Sequence, residues 1–457
     1  MRLFLVLLLF VTPNQIFSQS EAEPVAPPTI IPPTPEAASL GAYYQIDSPT
    51  ASGLPNIGVP LGGIREGHLG VNVAISYNAR GIQADQMATS VGLGWTLSYG
   101  GIITRQVRTK PDEDYYLGAN PSIKDVVEEY NQQGSHGPHW NSTESAEING
   151  FLDLQPDLFT FSFLGHSGKF YFSQETLQPI ILSKSDIKIS FEAENYKIKN
   201  FTLTAPDGSK AHFGDVDSQY NYRDYTFASN YTSYENEGYS NPPTNTPNDA
   251  NFNTWYLRKL EDFNGNTIEF DYLTNYLSYH TISPSRIGDS PNANRVRIAG
   301  WTENSGNEKL ISKISTSNQE INFNYSSRLD HSSSEKLSSV VHTTNGIEIK
   351  RFNFTYDYYT ALDQTPIYYG QFNSNTQKRL RLLEVQEQYG SETHPAYEFE
   401  YESNQVFCRG STKRDAWGYY NGANNDDYLV IDDNNHNVTY NPDTLLTGKG
   451  ILTKVIY

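Results

Sequence analysis

Apolar and polar residues alternate along most of the chain after Gly150. The run DLFTFSF places three phenylalanines on one side of a strand and Thr160 and Ser162 on the other, because successive side chains of a strand point to opposite faces. Turn residues at 165–168 and 206–208 separate this run from GKFYFSQ and from IKISFEAENYKIKNFTLTAPDGSKAHFG. Short strands separated by close turns predict antiparallel hairpins.

A weak internal repeat follows. Each copy has an apolar-alternating strand, a turn with Asn or Gly, and a return strand that ends in Phe-x-Tyr. The copies are YLRKLEDFNGNTIEFDY (256–272), KLISKISTSNQEINFNY (309–325), KLSSVVHTTNGIEIKRFNFTY (336–356) and RLRLLEVQEQYGSETHPAYEFEY (379–401). Asn264-Gly265 and Asn345-Gly346 predict hairpin turns, because both central positions of a type I′ turn need positive φ. A final GILTKVIY repeats the first strand alone, so we expect an edge that is open to a further strand of a larger assembly.

The chain therefore predicts an all-β protein built from consecutive antiparallel hairpins, with one short helix. That helix is PSIKDVVEEYNQQ (121–133), where Ser122 and Asp125 form a start that resembles a capping box. We expect an N-terminal β region at 39–217 and a hairpin-repeat region at 254–457. Residues 218–253, rich in Tyr, Asn, Ser and Pro without an apolar period, predict a long surface insertion between the two.

The N-terminus has the features of a secretory signal peptide. MRLFLVLLLFVTPNQIFSQS has one early arginine, a short apolar run and then small or polar residues, so we assign 1–20 to the signal. The run is too short to span a membrane. Residues 21–38 are proline-rich and predict an extended linker. The single cysteine, Cys408, leaves no partner for an internal disulfide.

Net charge excludes some classes of partner, and composition favours one type of secondary structure. The formal net charge is -19 and the sequence pI is about 4.9, which argues against nucleic acid and anionic membranes as partners. With 33 tyrosines and 22 phenylalanines against two methionines, the composition favours strands.

The segment MATSVGLGWTLSYGGIITRQVRTKPDED (87–114) raises the question of a phosphate-binding loop. Its glycines do not complete either phosphate-loop pattern and no helix follows, whereas WTLSYGGIITRQV alternates like a strand. We expect Trp95 to pack inside the sheet. The charged residues that follow could form a polar site, but we expect solvated ion pairs; they are Arg105, Arg108, Asp112, Glu113 and Asp114.

Other candidate sites are weak. His136 and His139 lie in a polar loop beside Trp140, with no helix to align them on a metal. DDNNHN (432–437) has oxygen ligands but lacks the glycine and the closing glutamate of a calcium loop. Cys408 lacks a nucleophile motif, and we expect it to be a small packed residue. We therefore assign no catalytic residue, no cofactor and no metal ligand.

The block GLPNIGVPLGGIREGHLGVNVAISYNARGIQADQMATSVGLGWTLSYGGIITRQVRTKPDED (53–114) resembles the N-terminal region of Rhs or YD-repeat proteins of the Bacteroidetes. DLFTFSFLGHSGKFYF, FTLTAPDGSKAHFG, WYLRKLEDFNGNTIEFDY and DAWGYYNG are similar to the same family. The resemblance implies a sheet that spirals into a large hollow shell, often around a C-terminal toxin. No long YD-repeat array and no toxin-like tip occur in this sequence.

Two functions from different classes remain. The first is a non-enzymatic secreted or cell-surface shell or scaffold protein, whose partners would be the downstream or separately encoded remainder of an Rhs-type shell and the export machinery. The second is an extracellular carbohydrate-binding or carbohydrate-active β protein. The second requires an exposed aromatic platform, for which the candidates are Trp140, Tyr220, Tyr222 and Tyr225.

We predict export with cleavage near Ser18 to Ser20, because the short charged start and the apolar run form a signal peptide. Intact-mass measurement of protein from the native host should give a chain that lacks the first residues. A soluble cytoplasmic product that retains Met1 to Phe17 would contradict the prediction.

Overall fold

The structure is a computed structural model. It describes residues 30–31, 55, 57–108, 111–113, 116–117, 132, 155–194, 197–217, 221–234, 251–290, 293–331, 333–363, 377–423 and 440–457. The predicted helix at 121–133 lies outside this part of the chain apart from Gln132, and so does the signal peptide.

The elements of the described residues are β-strands. The first group is β1 (Ile30–Ile31), β2 (Ile57–Glu66), β3 (Leu69–Tyr77), β4 (Trp95–Ser98), β5 (Ile102–Arg108), β6 (Leu158–Phe163), β7 (His166–Phe172), β8 (Pro179–Ile181), β9 (Lys188–Glu194), β10 (Lys197–Thr204), β11 (Lys210–Gly214) and β12 (Arg223–Tyr234). The second group is β13 (Asn251–Glu261), β14 (Thr267–Ser290), β15 (Ala293–Ser315), β16 (Gln319–Ser327), β17 (Glu335–Thr344), β18 (Ile347–Ala361), β19 (Lys378–Tyr389), β20 (Glu392–Thr393), β21 (Tyr397–Tyr401), β22 (Gln405–Val406) and β23 (Leu452–Ile456).

The predicted all-β class and the succession of antiparallel hairpins are confirmed. Strands β2, β3 and β4 form a small sheet, and the other strands belong to one large sheet. Along the large sheet the antiparallel order is β9, β10, β11, β13, β14, β15, β16, β17, β18, β19, β21 and β23. Among the described pairings, only β18 with β22 is parallel.

Strand β13 joins the two predicted β regions. It pairs with β5 and β11 from the first region, with β12, and with β14 from the second. Strands β6, β7 and β8 extend the sheet from β5. The segment predicted as an insertion, 218–253, contributes β12 and the start of β13. Its tyrosines and threonines suit a strand, although they lack the apolar period that would have signalled one.

The small sheet packs on one face of the large sheet. Alternate residues of β2 and β3 are buried and share one apolar core with residues of β14 to β21. The carbonyl of Leu61 lies 2.7 Å from Nε2 of His342 on β17. The 57–98 segment is therefore an inner layer, and the large sheet is its support.

Gly100 and Gly101 mark the point where the chain leaves the small sheet for the large one. The predicted strand WTLSYGGIITRQV is confirmed as strand, but it divides into β4 and β5 in different sheets. A Cβ on Gly101 would lie 2.4 Å from the carbonyl oxygen of Ser162. The close approach of β5 to β6 therefore requires glycine at this position.

The hairpin repeat is built around a β-bulge. At each of five pairings where one hairpin unit meets the next, a leucine or isoleucine is followed by one extra residue before the regular register resumes. These pairs are Leu257-Arg258, Ile311-Ser312, Leu337-Ser338, Leu382-Leu383 and Leu452-Thr453. In the last four, the residue opposite the leucine or isoleucine is the tyrosine of Phe-x-Tyr, and in the first it is Phe213.

The tyrosine hydroxyls connect neighbouring units. Tyr272 donates to the carbonyl of Leu257 (2.9 Å), Tyr325 to that of Ile311 (2.9 Å), and Tyr401 to that of Leu382 (2.6 Å). Each tyrosine therefore bonds to the bulge position of its own unit and opposes the bulge position of the next one. The sequence pattern Phe-x-Tyr records this contact.

Both Asn-Gly pairs lie in hairpin turns, as predicted. Asn345 and Gly346 have φ of 50° and 77° and form a two-residue turn between Thr344 and Ile347, which are paired. The other turn differs in type, because of its two central residues only Gly265 has positive φ. There the loop wraps around the Asp262 carboxylate, which accepts from the backbone N–H groups of Asn264 and Asn266 at 2.8 and 2.9 Å.

Trp95 is packed inside the protein, as predicted. It is 0% exposed, and its ring lies 4.6 Å from that of Phe399 and 5.3 Å from that of Tyr77, centroid to centroid. Its Nε1–H donates to the Tyr401 hydroxyl at 2.9 Å. Because Tyr401 itself donates to Leu382, Trp95 connects the inner layer to the bulge at Leu382-Leu383.

We predict that Trp95→Ala lowers the free energy of unfolding by about 3–5 kcal/mol, the usual cost of deleting a buried aromatic ring. Thermal or denaturant unfolding measures the change. Trp417→Ala is the matched control, since Trp417 is 65% exposed and such surface changes cost about 0.5 kcal/mol or less. Equal midpoints for the two variants would contradict this assignment.

We predict that Gly346→Val destabilises the protein, because valine strongly disfavours positive φ. A Cβ at Gly346 or Gly265 would meet nothing within 4 Å, so the effect reports backbone strain alone. Gly346→Asn is the control, since asparagine tolerates this region. If Gly346→Val and Gly265→Val both melted like the parent, the positive φ at these turns would be of no consequence to stability.

Candidate functional site

The charged residues after the glycine-rich segment form a buried cluster. Arg105 on β5 is 1% exposed, and its Nη1 lies 2.5 Å from Oε2 of Glu113 and 3.7 Å from Oδ2 of Asp157. Asp112 and Asp157 are also buried. The predicted solvated ion pairs are therefore wrong for these residues, because β5 lies inside the large sheet between β6 and β13. Asp114 lies outside the described residues.

This Arg105 cluster, made of Arg105, Asp112, Glu113 and Asp157, holds backbone segments together. Asp157 N–H donates to Asp112 Oδ1 at 2.7 Å, and Asp112 N–H donates back to Asp157 Oδ2 at 3.1 Å. Asp157 Oδ1 accepts from the backbone N–H of Arg108 at 2.8 Å. Glu113 Oε1 accepts from Ile198 N–H on β10 at 3.4 Å. The cluster thus fixes the chain between β5 and β6 against β10.

Three carboxyl groups share one guanidinium in this cluster. Burial raises the pKa of Asp112 well above its ordinary value, and the neighbouring Asp157 raises it further. Burial also raises the pKa of Asp157, and Arg105 limits that rise. The cluster therefore retains a proton at a pH where exposed aspartates have lost theirs.

A second polar cluster lies beneath the residues that lead into the glycine-rich segment. Arg328, which follows β16, donates from Nη1 to Thr89 O at 2.9 Å and from Nη2 to Ala88 O at 3.2 Å. The same guanidinium grips both oxygens of Asp330, at 2.7 and 2.6 Å. Asp330 Oδ2 also accepts from Leu380 N–H at 2.9 Å.

Arg379 on β19 binds the backbone just before these residues, at 83–86. Its Nη1 donates to Gln86 O at 3.0 Å and to Gln83 O at 3.3 Å, and its Nη2 donates to Ala84 O at 2.5 Å. We call the space lined by Arg328, Asp330, His331, Lys378, Arg379 and Arg409 under Gln86–Ala88 the arginine cleft. Sequence reasoning missed it, because its basic residues are scattered over 80 positions and carry no motif.

Of the other candidate site residues, some are described by the structure and some are not. Cys408 is a free, buried thiol, as predicted. The pair His136 and His139, Trp140, Tyr220 and the 432–437 segment lie outside the described residues. Within the part of the chain that the structure describes, no group of three or more His, Cys, Asp or Glu could hold a metal ion.

The platform tyrosines are only partly described. Tyr222 is half-buried, with its ring 5.9 Å from that of Tyr272, and Tyr225 lies in β12. Among the described residues, no helix is both long and apolar enough to span a membrane.

No protein-family model matches this chain, and no curated protein matches it. Solved structures give distant likenesses. The Tc holotoxin pore of Photorhabdus luminescens is 12% identical over 75% of this chain and 15% of its own, with a TM-score of 0.35. The N-terminal domain of effector protein SpvB from Salmonella typhimurium is 10% identical over 74% of this chain and 100% of its own, with a TM-score of 0.32. TcdB2-TccC3-TEV is 12% identical over 78% and 16%, with a TM-score of 0.35. This chain thus spans about a sixth of the two Tc toxin chains.

We predict that the Arg105 cluster makes stability fall as the pH rises. The folded state keeps a proton that the unfolded chain releases above about pH 4. The free energy of unfolding should therefore decrease from about pH 5 to about pH 8, by up to about 1.4 kcal/mol per pH unit for each retained proton. Asp112→Asn, which holds its hydrogens at any pH, should weaken this decrease.

The measurement is denaturant unfolding of the parent and of Asp112→Asn across that range. Contributions from the histidines cancel in the difference between the two curves. Asp186→Asn, at an exposed aspartate, is the control and should run parallel to the parent. A parallel curve for Asp112→Asn as well would show that the cluster is fully ionised.

Proposed function

We propose that this protein is a non-enzymatic shell or scaffold protein, secreted or held at the cell surface, of the Rhs or YD-repeat type. The N-terminal signal sequence supports export. In this role the protein needs no catalytic residue. Its polar clusters join strands to one another. Its partners are the remainder of such a shell and, before assembly, the export machinery.

The observation that carries the proposal is the bulge repeated at five pairings of the large sheet, each where one hairpin unit meets the next. A β-bulge bends its strand and increases the local twist. When the same bulge recurs at the same place in each hairpin, the bends add in one direction. Bends that add in this way give the large sheet a continuous curvature. The inner layer of β2, β3 and β4 covers part of one of its faces.

The pairing of strand β23 is evidence for a partner that extends this curved sheet. Among the described strands, β23 pairs only with β21, and its bulge at Leu452-Thr453 repeats the pattern of the preceding units. In three of those units, the carbonyl at the bulge accepts a hydrogen bond from the tyrosine hydroxyl of a Phe-x-Tyr strand. The outer edge of β23 therefore fits an antiparallel strand that ends in Phe-x-Tyr.

Light scattering after size exclusion tests the open edge. The mature chain should associate as its concentration rises, because an unpaired edge strand recruits a second chain. Thr453→Pro, at the extra residue of the bulge, should reduce association, since proline is tolerated at bulges but donates no hydrogen bond. Thr453→Ala keeps the N–H and should behave like the parent. A chain that stays monomeric at high concentration would contradict the open edge.

A second candidate function is carbohydrate binding. Trp417 favours it, because this indole is 65% exposed on a turn fixed by Asp415, whose Oδ1 accepts from the N–H groups of Trp417 and Tyr419, both at 2.9 Å. An exposed, immobile ring can stack on a sugar face. A glycan array should then give micromolar binding that Trp417→Ala or Trp140→Ala abolishes. Binding that survives both changes, or no binding, leaves the shell as the better proposal.

A further inference from the structure

The arginine cleft is a small open space between the two layers. The space among its walls is about 260 Å³ when the part open to solvent is included. It adjoins a second cleft of about 240 Å³ on the same measure, with which it shares Met87, Ala88, Arg328 and His331. Pockets for drug-sized ligands range from about 300 to 1,000 Å³, so even this upper bound leaves the cleft too small for a sugar or a peptide.

Positive charge in the arginine cleft exceeds negative charge. Its walls carry Arg328, Lys378, Arg379 and Arg409 against the single carboxylate of Asp330. That carboxylate is already engaged by Arg328 and by Leu380 N–H. Of the acids nearby, Asp85 pairs with Arg414, and Glu308 lines the adjoining cleft, where it accepts from Asn275. The three cations other than Arg328 therefore have no carboxylate of their own on the walls.

Two guanidinium groups in the cleft also have an Nε–H donor without an acceptor. Nε of Arg379 and Nε of Arg409 are buried with no acceptor among the described residues. Arg379 donates its Nη hydrogens to backbone carbonyls, which are neutral and do not balance its charge. Buried donors without a partner are costly, and an anion placed between them would satisfy both needs at once.

The electrostatics of the neighbouring groups agree with this geometry. Burial, helped by the charge of the nearby Arg379, lowers the pKa of Arg409 to about 10. Burial, helped by the charges of Arg409 and Arg328, lowers the pKa of His331 to about 4. At neutral pH His331 is therefore an uncharged imidazole, whose single N–H is already donated to the backbone of Ser278.

We propose that the arginine cleft binds a small inorganic oxyanion, of the phosphate or sulfate class, between Arg379, Arg409 and Lys378. The anion bridges β19, the chain after β22 and the residues under the glycine-rich segment. It thereby strengthens the contact of the inner layer with the large sheet. This binding is independent of the open edge at β23.

Thermal unfolding with added phosphate tests the proposal, with sodium chloride at equal ionic strength as the reference. Phosphate should raise the Tm in a saturable way, because it binds the folded state alone. Isothermal titration of the intact chain with phosphate should give one site. Sulfate should compete with phosphate, since both offer tetrahedral oxygens.

Arg409→Gln should lower the phosphate affinity at least tenfold and leave the Tm in chloride unchanged or higher, because it removes the repulsion with Arg379. Lys378→Gln should also lower the phosphate affinity. Because Lys378 is exposed, this variant still tests the proposal if Arg409→Gln folds poorly. Arg351→Gln, at a surface arginine paired with Glu348, is the control and should keep the full phosphate shift. The proposal is overturned if phosphate acts no differently from chloride, or if Lys378→Gln and Arg409→Gln keep the parent's shift.

Discussion

The hydrogen bond from a tyrosine hydroxyl to the carbonyl at a bulge is the contact on which the large sheet depends. Tyr272, Tyr325 and Tyr401 make it with Leu257, Ile311 and Leu382. A bulge interrupts the ladder, and a carbonyl at such a site needs another donor when it is buried. The tyrosine supplies that donor while the phenylalanine two residues earlier enters the core. Curvature and burial are thus built into the same three residues of each unit.

The inner layer uses the same contact as its attachment point. Trp95 donates to Tyr401, so the small sheet is connected to the bulge network through one indole. Its other attachments are polar and charged: Arg328 and Arg379 bind carbonyls of residues 83–89. Side-chain donors suit this task, because the backbone of 83–90 forms only isolated bridges and has few ladder partners of its own. The Arg105 cluster does similar work on β5, which pairs with β13.

The two clusters are buried where backbone segments outside the regular ladders meet the large sheet. In both clusters an arginine lies in or next to a strand of the large sheet and reaches groups that no strand pairing satisfies. Such pairs contribute little when exposed, but leaving one partner buried alone is costly. The two clusters differ in sign, since the Arg105 cluster has an excess of acid and the arginine cleft an excess of base. One retains a proton and the other offers room for an anion.

The sequence by itself determined the all-β class, the hairpin units and the positions of the Asn-Gly turns. These depend on local properties: period-two alternation and positive φ at a given residue. Phe-x-Tyr was visible as a pattern, but its role was not, because the carbonyl that each tyrosine reaches lies 14 to 19 residues earlier on another strand. Only the tertiary structure decided that WTLSYGGIITRQV divides between two sheets and that β12 forms within a segment without apolar period. It also decided that Arg105 and Asp112 are buried and that three scattered arginines converge. Burial depends on which faces meet, and a charged residue carries no local signal of the layer that will cover it.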